Sequence, residues 1–121
     1  MPHVVLTGNN ELAVLFPKMT PLTHKLPNGL MKITNYYLSH EGNSILAESF
    51  VMEEGDKKEF FLLVNSREDG LVVRIYPKTE VEKSNGVKQL IAELAKLFKR
   101  LDPAFEYGKT NLQAFLNNEE A

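Results

Sequence analysis

The apolar residues of this chain change their period once, at Pro77. Beyond it Val87, Leu90, Ile91, Leu94, Leu97, Phe98 and Leu101 recur at steps of three and four, the spacing of one face of an α-helix. Ser84 or Asn85 is placed to accept the first free N–H groups, while Lys96, Lys99 and Arg100 suit the negative pole of the helix dipole. The spacing predicts a helix over 86–101. Before Pro77 the pattern is that of strands. Segments 30–38, 44–52, 59–64 and 71–76 are rich in β-branched, aromatic and aliphatic residues. Between them lie His40-Glu41-Gly42-Asn43, Glu54-Gly55-Asp56-Lys57 and Arg67-Glu68-Asp69-Gly70. Each connection carries a Gly and is too short for a parallel crossover, so neighbouring strands must run antiparallel.

The flanks read less regularly. Residues 1–29 are broken by Gly8-Asn9-Asn10, Pro17, Pro21 and Pro27-Asn28-Gly29, which favour turns. Two short extended pieces fit between them, at 3–7 and 12–16. After the long helix, Asp102-Pro103 reads as an N-cap and first-turn proline of a single helical turn through Tyr107, stopped by Gly108. Thr110 and Gln113 match a capping box opening a last helix that carries Leu112, Phe115 and Leu116. Asn117 to Ala121 form a polar end expected to fray.

The expected fold is therefore α+β: an antiparallel β-meander of about five or six strands, a curved sheet or partial barrel, followed by a long C-terminal amphipathic helix and one or two short helices. A length of 121 residues suits one domain. It divides into irregular 1–29 with short strands, the meander 30–76 and a helical part 84–118.

Composition removes many kinds of chemistry. Without cysteine there is no disulfide framework, thiolate metal site or thiol nucleophile. His3, His24 and His40 are far apart and fall in no HxH, HxxxH or HExxH pattern, so neither a metal site nor a cofactor is expected. No GxSxG elbow and no GxxxxGK[ST] loop occurs. Gly86-Val87-Lys88 at a helix start and the carboxylates Glu53, Glu54 and Asp56 beside Lys57 and Lys58 read as ordinary capping and a charged hairpin tip. With a formal net charge of −2 the cations needed for nucleic-acid affinity are not in excess. The longest apolar run, Phe60 to Val64, is too short for a membrane span, and Met1 to Glu11 lacks a secretory signal. A cytoplasmic location is expected.

The central strands carry the remaining signal. Phe60 to Val64 is apolar at successive positions, and Ile45, Leu46, Ala47, Phe50, Val51 and Met52 load both parities, so both faces of the sheet need cover. The long helix can shield one. The other needs the N-terminal segments, a bend towards a barrel, or a second copy of the chain, a two-fold homodimer. Lys32, Thr34 and Tyr36 share one parity, as do Val72, Arg74 and Tyr76. Lys32, Tyr36, Arg74 and Tyr76 are thus the candidate binding residues, for a protein partner or an anionic ligand, through Arg and Tyr contacts. The expected function is a non-enzymatic cytoplasmic binding or regulatory module, contacting a protein partner through its sheet face or C-terminal helices. The competing reading is a small-molecule or anionic-ligand carrier, or a cofactor-free enzyme, with a pocket between sheet and helix lined by Phe50, Phe61, Tyr36 and Tyr76.

Overall fold

A computed structural model describes residues 1–117; the fraying expected beyond Asn117 lies outside them. The elements run β1 (His3–Thr7), α1 (Leu12–Leu15) with a 3₁₀ turn (Phe16–Lys18), β2 (Leu22–Leu26), β3 (Gly29–Leu38), β4 (Ser44–Glu53), β5 (Asp56–Arg67), β6 (Gly70–Ile75), α2 (Asn85–Leu101), β7 (Glu106–Thr110) and α3 (Gln113–Leu116). The strands form one antiparallel sheet in the order β2-β3-β4-β5-β6-β1-β7, curled into a half-barrel. Consecutive hairpins build β2 to β6, and β1 then pairs with β6, Leu6 opposite Leu71.

The expected meander is present, but the sheet has seven strands instead of five or six. The two additional strands lie at its edges, where pairing is decided by available partners more than by local pattern. β2 is a polar-rich segment, Leu22-Thr23-His24-Lys25-Leu26, bonded along β3 from Leu22–Ile33 to Leu26–Gly29. β7 replaces the helical turn expected before Gly108. Asp102 does form the cap, accepting from Ala104 N at 3.1 Å, but the chain leaves the turn at Phe105, which is fully buried edge-on to Phe98. From there it adds to the free side of β1, with Leu6 opposite Tyr107.

The extended piece expected at 12–16 is helical instead. Leu12 and Leu15 are both buried, one turn apart, and the Glu11 carbonyl accepts from Val14 and Leu15. At the last helix Thr110 Oγ1 accepts from Leu112 N, so the Thr110–Gln113 capping box is replaced by a shorter local bond.

The helix α2 lies on the inner face of the sheet and contacts β1, β3, β4 and β6. Its stripe of Val87, Leu90, Ile91, Leu94, Leu97 and Phe98 is buried against Val4, Leu6, Ile33, Ala47, Leu62 and Val73 from the strands. The N-terminus of α2 is seated on the end of β4. Ser84 is the N-cap, accepting from Val87 N, and Glu53 at the end of β4 accepts from the Ser84 hydroxyl and from Gly86 N, at 2.5 and 3.1 Å. A carboxylate here matches the positive pole of the helix. Gly86 is required for steric reasons: a Cβ would lie 2.7 Å from both Val51 Cγ1 and Glu53 Cδ.

Candidate functional site

The pleat sorts the strand residues onto two faces. Ile45, Ala47, Ser49 and Val51 of β4 and Phe60, Leu62 and Val64 of β5 point inward and are buried. The intervening Leu46, Glu48 and Phe50, with Phe61 and Leu63, point outward and are partly exposed. They are neighbours in the ladder, Leu46 opposite Leu63 and Glu48 opposite Phe61, and Val72 and Arg74 of β6 continue the same face, with Arg74 opposite Leu63. None of the apolar members, Leu46, Phe50, Phe61, Leu63 and Val72, belongs to the core cluster or to the side chains packed on it. The outer face is thus an apolar centre with charged margins, left open by the helix.

Two polar groups stand out on it. Arg74 donates from Nη2 to Asn65 Oδ1 at 3.4 Å, while its Nε is buried with no hydrogen-bond partner among the described residues. Such an orphan donor costs roughly 1–3 kcal/mol. Glu48 accepts from the Tyr37 hydroxyl at 2.7 Å through Oε1. At the margin, the Lys57 ammonium lies 4.9 Å from the centre of the Phe50 ring.

The structure separates the four residues expected to form one patch. Arg74 and Tyr76 share the outer face by alternation, and the Tyr76 N–H donates to the Phe61 carbonyl at 2.9 Å. Lys32 is also outward, opposite Phe50, but three strands from β6, roughly 20 Å from Arg74 by strand geometry. Tyr36 is on the other face. A register shift between Ile33 and Asn35 inserts one residue into β3, and a bulge of one residue exchanges the faces of everything beyond it. Lys32 and Tyr36 therefore do not share a side, and Tyr37 points outward in place of Tyr36. Tyr36 packs against the core and donates from its hydroxyl to the Thr20 carbonyl at 2.9 Å. Burial pushes its phenol well above the ordinary value, against a smaller opposing effect of Arg100.

The outward residues Leu46, Glu48, Phe61 and Leu63 were present in the sequence as the surplus parity of the central strands. Their signal is the doubly loaded pattern itself: once Ile45, Ala47 and Val51 are inside, Leu46 and Phe50 must be outside.

Beneath the centre of the sheet the space is filled by the core, and a cleft of about 750 Å³ opens only at the sheet's edge, between β2 and α2, lined by His24, Glu93, Arg100 and Tyr107 among others; Phe50 and Phe61, expected to line a pocket between sheet and helix, face away from α2. An open cleft of about 1220 Å³ lies instead at the end of the half-barrel, between the β2–β3 and β4–β5 hairpin tips and the start of α2. Several of its charged groups are engaged with one another. Lys58 lies 3.1 Å from Asp56, 3.5 Å from Glu82 and 3.7 Å from Glu53, and Glu53 is occupied in capping α2. Farther along the helix the buried Glu93 accepts from Gln89 at 2.8 Å and Lys96 at 3.0 Å, with His24 Nδ1 at 3.8 Å. This cluster ties β2 to α2 and, through the bond from Gln89 to the Phe115 carbonyl, to α3. No group of three or more His, Asp or Glu able to hold a metal occurs among the described residues, and no described helix is long and apolar enough to cross a membrane.

Compared with family models, with curated proteins and with solved structures, the chain finds no match. The functional reading therefore comes from its own geometry.

Proposed function

We propose that this chain is a non-enzymatic cytoplasmic binding or regulatory module whose recognition surface is the outer face of the sheet. One observation carries the reading: Leu46, Phe50, Phe61, Leu63 and Val72 are neighbours on one face and none of them packs on the core. A contiguous apolar patch with a polar rim is the usual anatomy of a protein-binding surface. Phe61 and Leu63 at its centre are the anchors, with Arg74, Tyr76 and Tyr37 around them, residue types that carry much of the energy of protein interfaces. The sheet face is favoured over the C-terminal helices because α2 spends its apolar stripe on the core. Both signs of charge border the patch, which suits a protein better than a nucleic acid.

The carrier reading would use the cleft beside the start of α2, but Lys58 there is already engaged by Glu53, Asp56 and Glu82. A photo-crosslinking residue placed at Leu63, in cells that produce the protein, tests the proposal. Discrete covalent adducts are expected at position 63 and none at Val14, an exposed apolar residue on α1. Equal or absent labelling at the two positions would remove the outer face as a binding surface.

A further inference from the structure

Independently of the outer face, we infer that the cleft between β2 and the last turns of α2 binds a small phosphate monoester, held by the Arg100 guanidinium and the Tyr107 hydroxyl. The cleft lies at the seam of the half-barrel. β2 and β7 are the two edges of the sheet, and both line it, Leu22 to His24 from one and Tyr107 from the other, while α2 contributes Lys96, Lys99 and Arg100. Its volume of about 750 Å³ falls within the roughly 300–1,000 Å³ of pockets that take small organic ligands.

Charge selects the class of ligand. Glu93, the acid of the cleft, accepts from Lys96 at 3.0 Å and from Gln89 at 2.8 Å, so its charge is answered within the chain. Lys99 donates to the Pro103 and Phe105 carbonyls, which fix its position and leave its charge unbalanced by any acid among the described residues. Arg100 is exposed and forms neither a hydrogen bond nor an ion pair among the described residues. The negative pole of α2 offsets about half a unit of these two positive charges. The remainder matches a phosphate monoester, which carries roughly −1.5 to −2 at neutral pH; a carboxylate would balance less of it.

The donors are accessible and close together. Tyr107 is half-buried, and its hydroxyl has no hydrogen-bond partner among the described residues. Burial raises its phenol, and the Arg100 charge opposes that rise, as it does at Tyr36, which puts the guanidinium within electrostatic reach of both rings. The phenol stays protonated at neutral pH and donates. A guanidinium gives phosphate oxygens two parallel bonds and the phenol adds a third. Pro21, Leu22 and Leu116, the aliphatic members of the lining, are left for the rest of the molecule, so the ester carries an apolar or aromatic body.

Isothermal titration calorimetry of the full chain with phenyl phosphate tests the inference. Saturable binding is expected, at least about tenfold tighter than that of inorganic phosphate, which lacks the apolar body, and of benzoate, which brings a single charge. Arg100→Gln should weaken it at least about tenfold and Tyr107→Phe about threefold to tenfold, as bonds to a charged acceptor are lost. Lys88→Gln, on α2 but outside the cleft, should leave it unchanged. A thermal melt of each variant checks that the fold is kept. Absence of saturable heat at millimolar phenyl phosphate overturns the inference. So does binding that Arg100→Gln leaves intact, or that falls equally with Lys88→Gln, the mark of a diffuse charge effect. Equal affinity for benzoate or inorganic phosphate would overturn the phosphate monoester as the ligand class. A phosphotyrosine pentapeptide bound more tightly than phenyl phosphate would overturn the small molecule in favour of a phosphorylated protein. None of these outcomes bears on the outer face, which lies on the other side of the sheet and is tested separately by crosslinking at Leu63.

Discussion

The two faces of this sheet are built from the same strands and almost the same amino acids, yet they do different work. Inward, Ile45, Ala47, Val51, Leu62 and Val64 close against α2 and are removed from water. Outward, Leu46, Phe50, Phe61 and Leu63 alternate with them and remain partly exposed. Apolar content therefore does not decide which side of a strand is core. The decision belongs to whichever element can reach the strand, and among the described residues only one long helix is available. What is left over on the other side is surface with the composition of an interior, the condition that makes a sheet face adhesive.

The contrast is broken or confirmed most directly by a pair of identical truncations. Leu94→Ala, on the helix stripe, should cost roughly 2–5 kcal/mol, the range for a buried leucine that leaves a cavity. Leu63→Ala, on the outer face, should cost less, about 1–2 kcal/mol, because its side chain is only partly removed from water within one copy. Urea melts at low protein concentration measure both. Equal losses would mean that the two faces are covered alike.

Next in size is the seat of the helix. Gly86→Ala must displace both Val51 and Glu53 to make room for its Cβ, and overpacking of this kind costs about 1–3 kcal/mol. A thermal melt unchanged by this substitution would show that α2 is not pressed on the end of β4. Smaller again is Glu53→Ala. It removes the acceptor of Ser84 and Gly86, for an expected loss of roughly 0.5–2 kcal/mol, as for other N-terminal caps.

The finest test uses neighbouring tyrosines on opposite faces. Tyr36 is inward and its phenol is raised by burial. Tyr37 is outward, half exposed, and raised first by its hydrogen bond to Glu48. In an alkaline titration followed by ultraviolet absorbance, Tyr36→Phe should remove the last phenol to ionise and Tyr37→Phe an earlier one. The folded chain holds the Tyr36 proton to higher pH than the unfolded chain, whose phenols ionise near 10.0. Unfolding therefore releases that proton in this range, and stability should fall as pH rises beyond it. Tyr36→Phe should flatten that fall; an unchanged slope would mean that Tyr36 is not buried.

Legibility in the sequence followed the range of the interaction responsible. Strand β1 has the expected bounds, 3–7, and the hairpins from β3 to β6 fall where Gly-bearing turns and apolar runs place them. All of these rest on neighbours a few residues apart. The bulge after Ile33 was invisible because nothing in Lys32-Ile33-Thr34-Asn35-Tyr36 announces an inserted residue. That one omission exchanged Tyr36 for Tyr37 in the expected patch. Segment 12–16 is ambiguous in sequence because Leu12 and Leu15 suit a short strand as well as a helical turn, and burial of both on one side decides for the helix.

By itself, then, the sequence determined the α+β class, the antiparallel meander, the α2 helix and the loading of both parities in the central strands. Each depends on spacing along the chain, which side-chain sterics and hydrophobicity translate into local structure without reference to distant residues. Only the tertiary structure decided that β1 closes on β6, that 106–110 extends the sheet instead of turning, and which parity the helix covers. These choices are made between segments up to a hundred or so residues apart, such as Val4 and Thr110. For them the free backbone groups of a sheet edge, or an uncovered apolar face, select among partners that the local pattern leaves equivalent. The partly exposed patch of Phe61 and Leu63 is the product of both: a composition set in the strands, and an orientation set by the long helix that covers the other side.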